Sequence, residues 1–356
     1  MGGADGARPG ARRLRRWRPR AAHRSTRVSL SAGAPRVVAF GELLLRLSPP
    51  GEQRLFESPE LHTFFGGAEA NVAVALSHLG LTADYVTRLP EGPLGDAALA
   101  ALQREGVGTA SIRRGGIRIG LYFVEPGADL RSMRVVYDRA GSALAQIDPS
   151  EIDWAPLLAG AAWFHSTGIT PALGDGPAAA LARAMACARA GQVPVSFDLN
   201  YREALWRGRD PRGLIEPLVR QADVLIGNRE AVRALLGVDA TGDALGPLLA
   251  ERYGSRVVAI TQREILGARE QGWSATLYDA ATRALARSRR HVMRVVDRVG
   301  GGDSFAAGLI AALLGAQTPA AALDFAVAAG ALKLAVPGDF GRATVEDIQR
   351  LVHACT

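Results

Sequence analysis

Short β-branched apolar runs alternate along the chain with longer apolar stretches whose polar positions recur at helical spacing. RVVAFGE (36–42) reads as a strand ending in glycine, and NVAVALSHLG (71–80) as an apolar helix closed by Gly80. ADYVTRL (83–89) is strand-like again, and GDAALAALQREGV (95–107) is helical up to Gly106. The alternation continues through strand WFHSTGI (163–169), helix PAAALARAMACARAG (177–191), strands VPVSFDLN (193–200) and ADVLIGN (222–228), helix REAVRALLG (229–237), strand RVVAITQ (256–262) and helix DSFAAGLIAALLG (303–315). This pattern predicts an α/β fold: a mostly parallel, doubly wound sheet with helices on both faces.

Two stretches leave the pattern. Residues 43–66 carry no helical period. Residues 113–140 alternate apolar and polar positions around GG and PG turns, so IRIGLYFVE and MRVVYDR read as antiparallel strands. Both stretches predict a small β-sheet lid near the strand ends of the main sheet, which would exclude water from a reaction.

Composition narrows the chemistry. Residues 1–36 hold ten arginines and one acid, a net +9; the whole chain is +7, so residues 37–356 carry −2. The high isoelectric point therefore belongs to the extension and says nothing about the ligand of the rest. Residues 1–35, rich in Gly, Arg, Ala and Pro, read as a disordered extension. A targeting peptide, a nucleic-acid tail and a twin-arginine export signal are the sharper alternatives, and the last lacks an apolar segment after its arginines. Residues 36–356 form the predicted folded domain. No window is apolar enough for a membrane span, and Cys187 and Cys355 have no CxxC spacing, which fits a reducing cytoplasm. Of 42 basic residues only Lys333 is a lysine, so no P-loop GK[ST] exists. Its Ala-rich helical surroundings predict a surface or capping role. The six histidines show no HExxH and read as surface or satisfied polar residues.

The stretch VVDRVGGGDSFAAG (295–308) carries the chemistry. An apolar run, three glycines and a helix start form an anion-binding recipe, because the first helical amides lack internal partners and the helix dipole is positive there. Asp303 admits two readings at this point. It is a helix N-cap, or it accepts the proton of an attacking hydroxyl while Gly300, Gly301 and Gly302 hold a transferring phosphoryl group.

DRVGGGDSFAAG resembles the C-terminal signature of the ribokinase-like (PfkB) carbohydrate kinases, with Gly301 where alanine is usual. FGGAEANVAVALSHLG (65–80) resembles the other signature of that family, about 230 residues earlier. The resemblance spans residues 36–356 and implies a ribokinase-like fold using ATP and Mg²⁺, with a monovalent cation as a further possibility. It implies that Gly66, Gly67 and Asn71 touch the sugar. Asn200, of the D-x-N-x-R element with Asp198 and Arg202, falls to the nucleotide side. So does Asn228, of an N-x-x-E element in which Ala231 takes the fourth place and Glu230 stands one position early as a metal-ligand candidate. Thr261 begins a T-x-G turn in which Arg263 replaces the first glycine.

Within the family the chain resembles the 2-keto-3-deoxygluconate kinases, in GELLLRLSP, LYFVE, VYDRAGSA, HSTGIT and VPGDFG. Arg46 stands where sugar kinases often place an aspartate, and suits an acidic sugar or lies at the lid edge. The resemblance implies that Gly67, Tyr122, Tyr137 and Arg139 contact the substrate, joined by Arg202. Arginine pairs with carboxylates and tyrosine adds a hydroxyl and a flat face. The implied activity is transfer of the ATP γ-phosphoryl to the terminal hydroxyl of 2-keto-3-deoxygluconate by a cytoplasmic enzyme. It would bind a sugar acid and ATP, not nucleic acid or membrane, and pair with a second copy through the lid. A fructokinase or other hexose kinase, and a non-catalytic sugar sensor on the same fold, are the alternatives.

Overall fold

The computed structural model describes residues 33–127, 131–267 and 269–354. Of the extension predicted to be disordered, residues 1–35, the first 32 lie outside the described residues, while Pro35 O accepts from Thr82 N at 3.2 Å beside the main sheet.

The strands are β1 (Arg36–Phe40), β2 (Leu44–Ser48), β3 (His62–Gly66), β4 (Thr82–Val86), β5 (Arg88–Leu89), β6 (Arg113–Arg114), β7 (Gly120–Glu125), β8 (Arg134–Asp138), β9 (Trp163–Thr167), β10 (Val195–Asp198), β11 (Val224–Asn228), β12 (Val257–Ile265), β13 (Glu270–Asp279), β14 (Ala284–Arg287) and β15 (His291–Arg294). The main sheet runs β14-β13-β12-β11-β10-β9-β1-β4, and β15 also pairs with β13. From β4 to β12 every pairing is parallel, while β13, β14 and β15 form an antiparallel edge. Strand β1 shows why the central strands read as unbroken apolar runs. Val37 and Ala39 enter one hydrophobic cluster with the helices Ala68–His78, Gly301–Leu314 and Pro319–Leu334. Val38 and Phe40 enter a second cluster on the opposite face.

The lid is a separate four-stranded sheet, β3-β2-β7-β8. Strands β7 and β8 are antiparallel, with Tyr122 opposite Tyr137, whereas β2 and β7 are parallel. Residues 113–114 do not join it; β6 pairs with β5 in a two-stranded sheet of its own.

The apolar run before the glycines is not a strand at Val295–Asp297. Strand β15 stops at Arg294, and the amides of Val296 and Asp297 both donate to Leu334 O, at 2.8 and 3.3 Å. The free carbonyl at a helix C-terminus has taken the bonds that a strand partner would have taken.

Gly67 is the N-cap of the Ala68–His78 helix in extended backbone that any residue could adopt. Its side chain is excluded by space instead, because a Cβ there would overlap the backbone carbonyl of Glu42. Gly67→Ala is therefore expected to destabilise by about 1–3 kcal/mol, read as a lower melting temperature in calorimetry.

Candidate active site

The helix that begins the site has Gly300 as its N-cap, in the left-handed region at φ 85°. A Cβ at Gly300 would overlap Asp339 O, and one at Gly301 would press on the Leu334 side chain. Gly302 differs, since a Cβ there would meet nothing within 4 Å. Two glycines thus serve the backbone path and its packing, and the third faces open space. The first bond onto the turn is Ser304 N to Gly300 O at 2.9 Å, so the amides of Gly301, Gly302 and Asp303 precede any helical acceptor.

Asp303 does not cap this helix: it stands inside the first turn, which has no side-chain cap bond. Its carboxylate is buried and accepts a 2.7 Å hydrogen bond from Asn71 Nδ2, while Asn71 Oδ1 accepts from Gly67 N at 3.3 Å. Burial pushes the Asp303 carboxyl above its ordinary range, and the Asn71 bond, Arg202 and Lys333 pull against that shift. Two more buried acids share this region. Asp198, at the end of β10, is raised to about 7 by burial and then by the Asp303 charge. Glu69 is raised by burial, and its Oε1 accepts from Thr167 N, Thr167 Oγ1 and Thr170 Oγ1 at 3.0, 2.8 and 2.8 Å.

The lid supplies aromatic and basic groups. Tyr122 stacks on Tyr137 with ring centroids 5.9 Å apart, and its hydroxyl bonds Asp339. The Arg139 guanidinium lies 5.5 Å over the Tyr137 ring. It is not free, because its Nε and Nη2 both donate to Glu42 Oε2. Arg46 is not a surface arginine. It is 4% exposed, with Nη1 2.8 Å from Asp297 and 2.9 Å from Asp339. The Gly66 position abuts the Asp339 side chain, and a Cβ there would overlap it. Val299, just ahead of the glycines, packs with Leu44, Tyr122 and Val124 of the lid.

The nucleotide-side candidates gather at the carboxyl ends of adjacent parallel strands, where α/β sheets bind ligands. Asn200 follows β10 at φ 36°. Asn228 ends β11, and Thr261 is its register partner on β12. Asn228 Oδ1 caps the Arg229–Leu236 helix through Ala231 N at 2.8 Å, and Thr261 Oγ1 donates to Gly227 O at 3.3 Å. Arg202 is exposed at the same edge, close enough to lower the Asp198 and Asp303 carboxyls. Glu230 is exposed in the first turn of the Arg229–Leu236 helix. Among the described residues no group of three His, Cys, Asp or Glu side chains converges to hold a metal.

Residues 34–341 match the pfkB family carbohydrate kinase profile. The chain belongs to this family. It is 32% identical to the 2-dehydro-3-deoxygalactonokinase of Haloferax volcanii over 89% of this chain and 96% of that one. It is 31% identical to the 2-dehydro-3-deoxygluconokinase of Thermoproteus tenax, over 85% and 89%. The crystal structure of the 2-dehydro-3-deoxygluconokinase from Thermotoga maritima superposes with a TM-score of 0.87 at 41% identity, covering 90% of this chain and 98% of that one. The ribokinase-like fold, the small lid sheet and a carbohydrate kinase activity follow. No helix among the described residues is long and apolar enough to cross a membrane.

Several residues of this PfkB kinase site carried no expectation from the sequence. Glu42, Glu69, Asp297 and Asp339 are all partners of groups far along the chain. Glu42 and Asp339 lie in GELL and VPGDFG, stretches that stood out without a role for the acid itself. Lys333 is no surface residue but 1% exposed, because its stem crosses beneath the glycine turn. His165 is fully buried and its Nδ1 is 2.8 Å from Ser196 Oγ; burial holds it neutral, with a pKa of about 3.

The Asp198 shift has a consequence for stability. The folded carboxyl titrates at about 7 against an ordinary 3.8. Below the lower value both states are protonated. Between the two the unfolded chain loses its proton first, so stability falls as pH rises, and above about 7 the loss is complete. The melting-temperature advantage of Asp198→Asn over wild type is expected to grow between pH 4 and 7 and then level off. A difference independent of pH would contradict the burial of this charge.

Proposed function

We propose that this PfkB enzyme transfers the γ-phosphoryl group of ATP to the terminal hydroxyl of 2-keto-3-deoxygluconate. One observation carries the reading: a buried carboxylate, Asp303, follows directly on Gly302, where a side chain would meet nothing within 4 Å, in the first turn of a helix.

Asp303 takes the proton of the acceptor hydroxyl as its oxygen attacks the γ-phosphorus. The bond from that phosphorus to the bridging oxygen breaks, and its electron pair leaves with ADP. The amides of Gly301, Gly302 and Asp303 donate to the equatorial oxygens, whose charge they are preorganised to meet. Asn71 fixes the direction of the Asp303 carboxylate and supports its ionised form. Arg202 adds positive charge at the same edge.

The acceptor lies under the lid, between the Gly66–Gly67 turn and the Tyr122–Tyr137 stack. Its carboxylate faces Arg139, whose fork Glu42 orients. Asn200, Asn228 and Thr261 line the nucleotide side. The donor set fits a magnesium ion carried mainly by phosphates and water, since Glu230 offers one exposed carboxylate and, among the described residues, no group of three His, Cys, Asp or Glu converges. When bound, such an ion would supply positive charge to the leaving phosphates. Exposed Phe56, Ile117 and Val136, on or beside the lid, support pairing with a second copy there.

The names of the similar kinases include both the gluconate and the galactonate acid, which differ in the configuration at C4. Coupled ADP release should therefore be measured with both acids and with fructose. Higher kcat/KM for either acid than for fructose supports the sugar-acid reading, and the ratio of the two acids sets the epimer preference. A preference for fructose would replace it with the hexose kinase alternative. Asp303→Asn is expected to lower kcat by about 10²–10⁴-fold while calorimetry finds sugar binding nearly intact; an unaltered rate refutes the base. Gly302→Ala should leave the melting temperature within a degree or so, because the methyl meets no protein atom. Its kcat should fall by about tenfold or more, because the methyl takes the room of the phosphoryl group.

A further inference from the structure

Lys333 is the single lysine of the chain, and it is buried. It sits one residue from the end of the Pro319–Leu334 helix, directly behind the glycine turn. Its Nζ donates to Val336 O at 3.2 Å, and its Cε lies 3.1 Å from the point where Gly300 would carry a Cβ. The Asp297 and Asp303 carboxylates favour its charge, whereas burial, Arg46 and Arg342 oppose it; burial dominates and brings the ammonium down to about 8.

The surroundings tie this ammonium to the turn. Asp297 Oδ1 accepts from Val299 N at 3.0 Å and Oδ2 from Gly338 N at 3.0 Å, and Arg46 pairs with the same carboxylate. Leu334 O, next to the lysine, holds Val296 N and Asp297 N. Asp339, whose carbonyl touches the Gly300 position, bonds Tyr122 of the lid. The ammonium is thus held by the Val336 carbonyl, its stem lies against the glycine turn, and the Asp297 and Asp303 carboxylates act on it through their charge.

A buried ammonium is expensive, and a methionine of similar length would fill the same space without desolvating a charge. Packing alone does not account for a lysine here. Its charge acts where phosphoryl charge develops, in a water-poor region where a fixed positive group raises the donor strength of the turn.

We propose that the Lys333 ammonium is a built-in monovalent cation of the phosphoryl-binding turn, standing where a bound potassium or ammonium ion would otherwise be required. Lys333 is a positioning residue: it acts through the Gly300–Gly302 amides and Asp303, not on the substrate. A tethered ammonium that already holds the Val336 carbonyl beside two carboxylate charges leaves no need for a second cation there. This inference rests on the proposed role of the turn and Asp303.

The test is steady-state kinetics with a 2-keto-3-deoxy sugar acid and ATP-Mg²⁺ in tetramethylammonium buffers, with and without added potassium, ammonium or ethylammonium. Wild type is expected to change by less than about twofold on addition. Lys333→Ala is expected to lose about 10²-fold in kcat with little change in KM for the sugar acid, and to recover about tenfold or more with ammonium, potassium or ethylammonium. Lys333→Met, which keeps the buried volume, should lose the same rate and recover less. A lysine that merely packs would give no cation-selective recovery.

Strong activation of wild type by potassium or ammonium overturns the inference while leaving the kinase reading intact, and it does so even if both variants fail to fold. A folded Lys333→Ala enzyme that keeps its rate without added cation also overturns it, as does one that still binds nucleotide but recovers with none of the three ions. A wild type that turns over neither acid sinks both readings.

Discussion

A buried carboxylate must be directed by the protein, and the site depends on how Asp303 is directed. It lies where the Ala68–His78 and Gly301–Leu314 helices pack in the core. The first helix supplies the Asn71 amide, and the second supplies the backbone on which the carboxylate rides. Gly300 makes this possible, because only a left-handed residue without a side chain lets the turn pass over Asp339 O. Remove the approach and the base, the free amides and the lid contact would each move separately.

Around this point the interior is ionic. Arg46, Lys333, Asp297 and Asp339 join β2, the turn and the segment after the Pro319–Leu334 helix. Arg139 and Glu42 do the same between the end of β8 and the loop after β1. Buried pairs of this kind add little net stability over apolar packing. They do fix geometry, since each guanidinium edge accepts only a narrow range of carboxylate positions. The apolar contact between lid and turn is small by comparison, limited to a cluster around Leu44, Tyr122, Val124 and Val299.

The sheet was legible because strands β1, β9, β10, β11 and β12 are covered on both faces and so appear as apolar runs between glycine-ended helices. The lid was legible from alternation and turn residues, and Tyr122 and Tyr137 do face one another. The family motifs located the glycine turn and Asn71. Periodicity is blind to what lies between elements: Arg46 finds Asp339 across 293 residues, and Arg139 finds Glu42 across 97. Lys333 was misread for the same reason. In an alanine-rich helix a lone lysine suggests solvent, and only the fold brings Asp297 and the turn to it. Val296 and Asp297 follow a β-branched run but lost their strand to a helix carbonyl, a competition that local propensity does not register.

The parallel pairing of β2 with β7 places Arg46 and Tyr122 side by side in register, and both reach down to Asp339. The lid therefore does not swing as a loose flap. To lift, it must strip an arginine and a phenol from one acid at the same moment, leaving that acid to be hydrated. Lifting such a cover would cost a buried ion pair and a hydrogen bond together, a cost that oxygens of an incoming molecule reaching the same groups would offset.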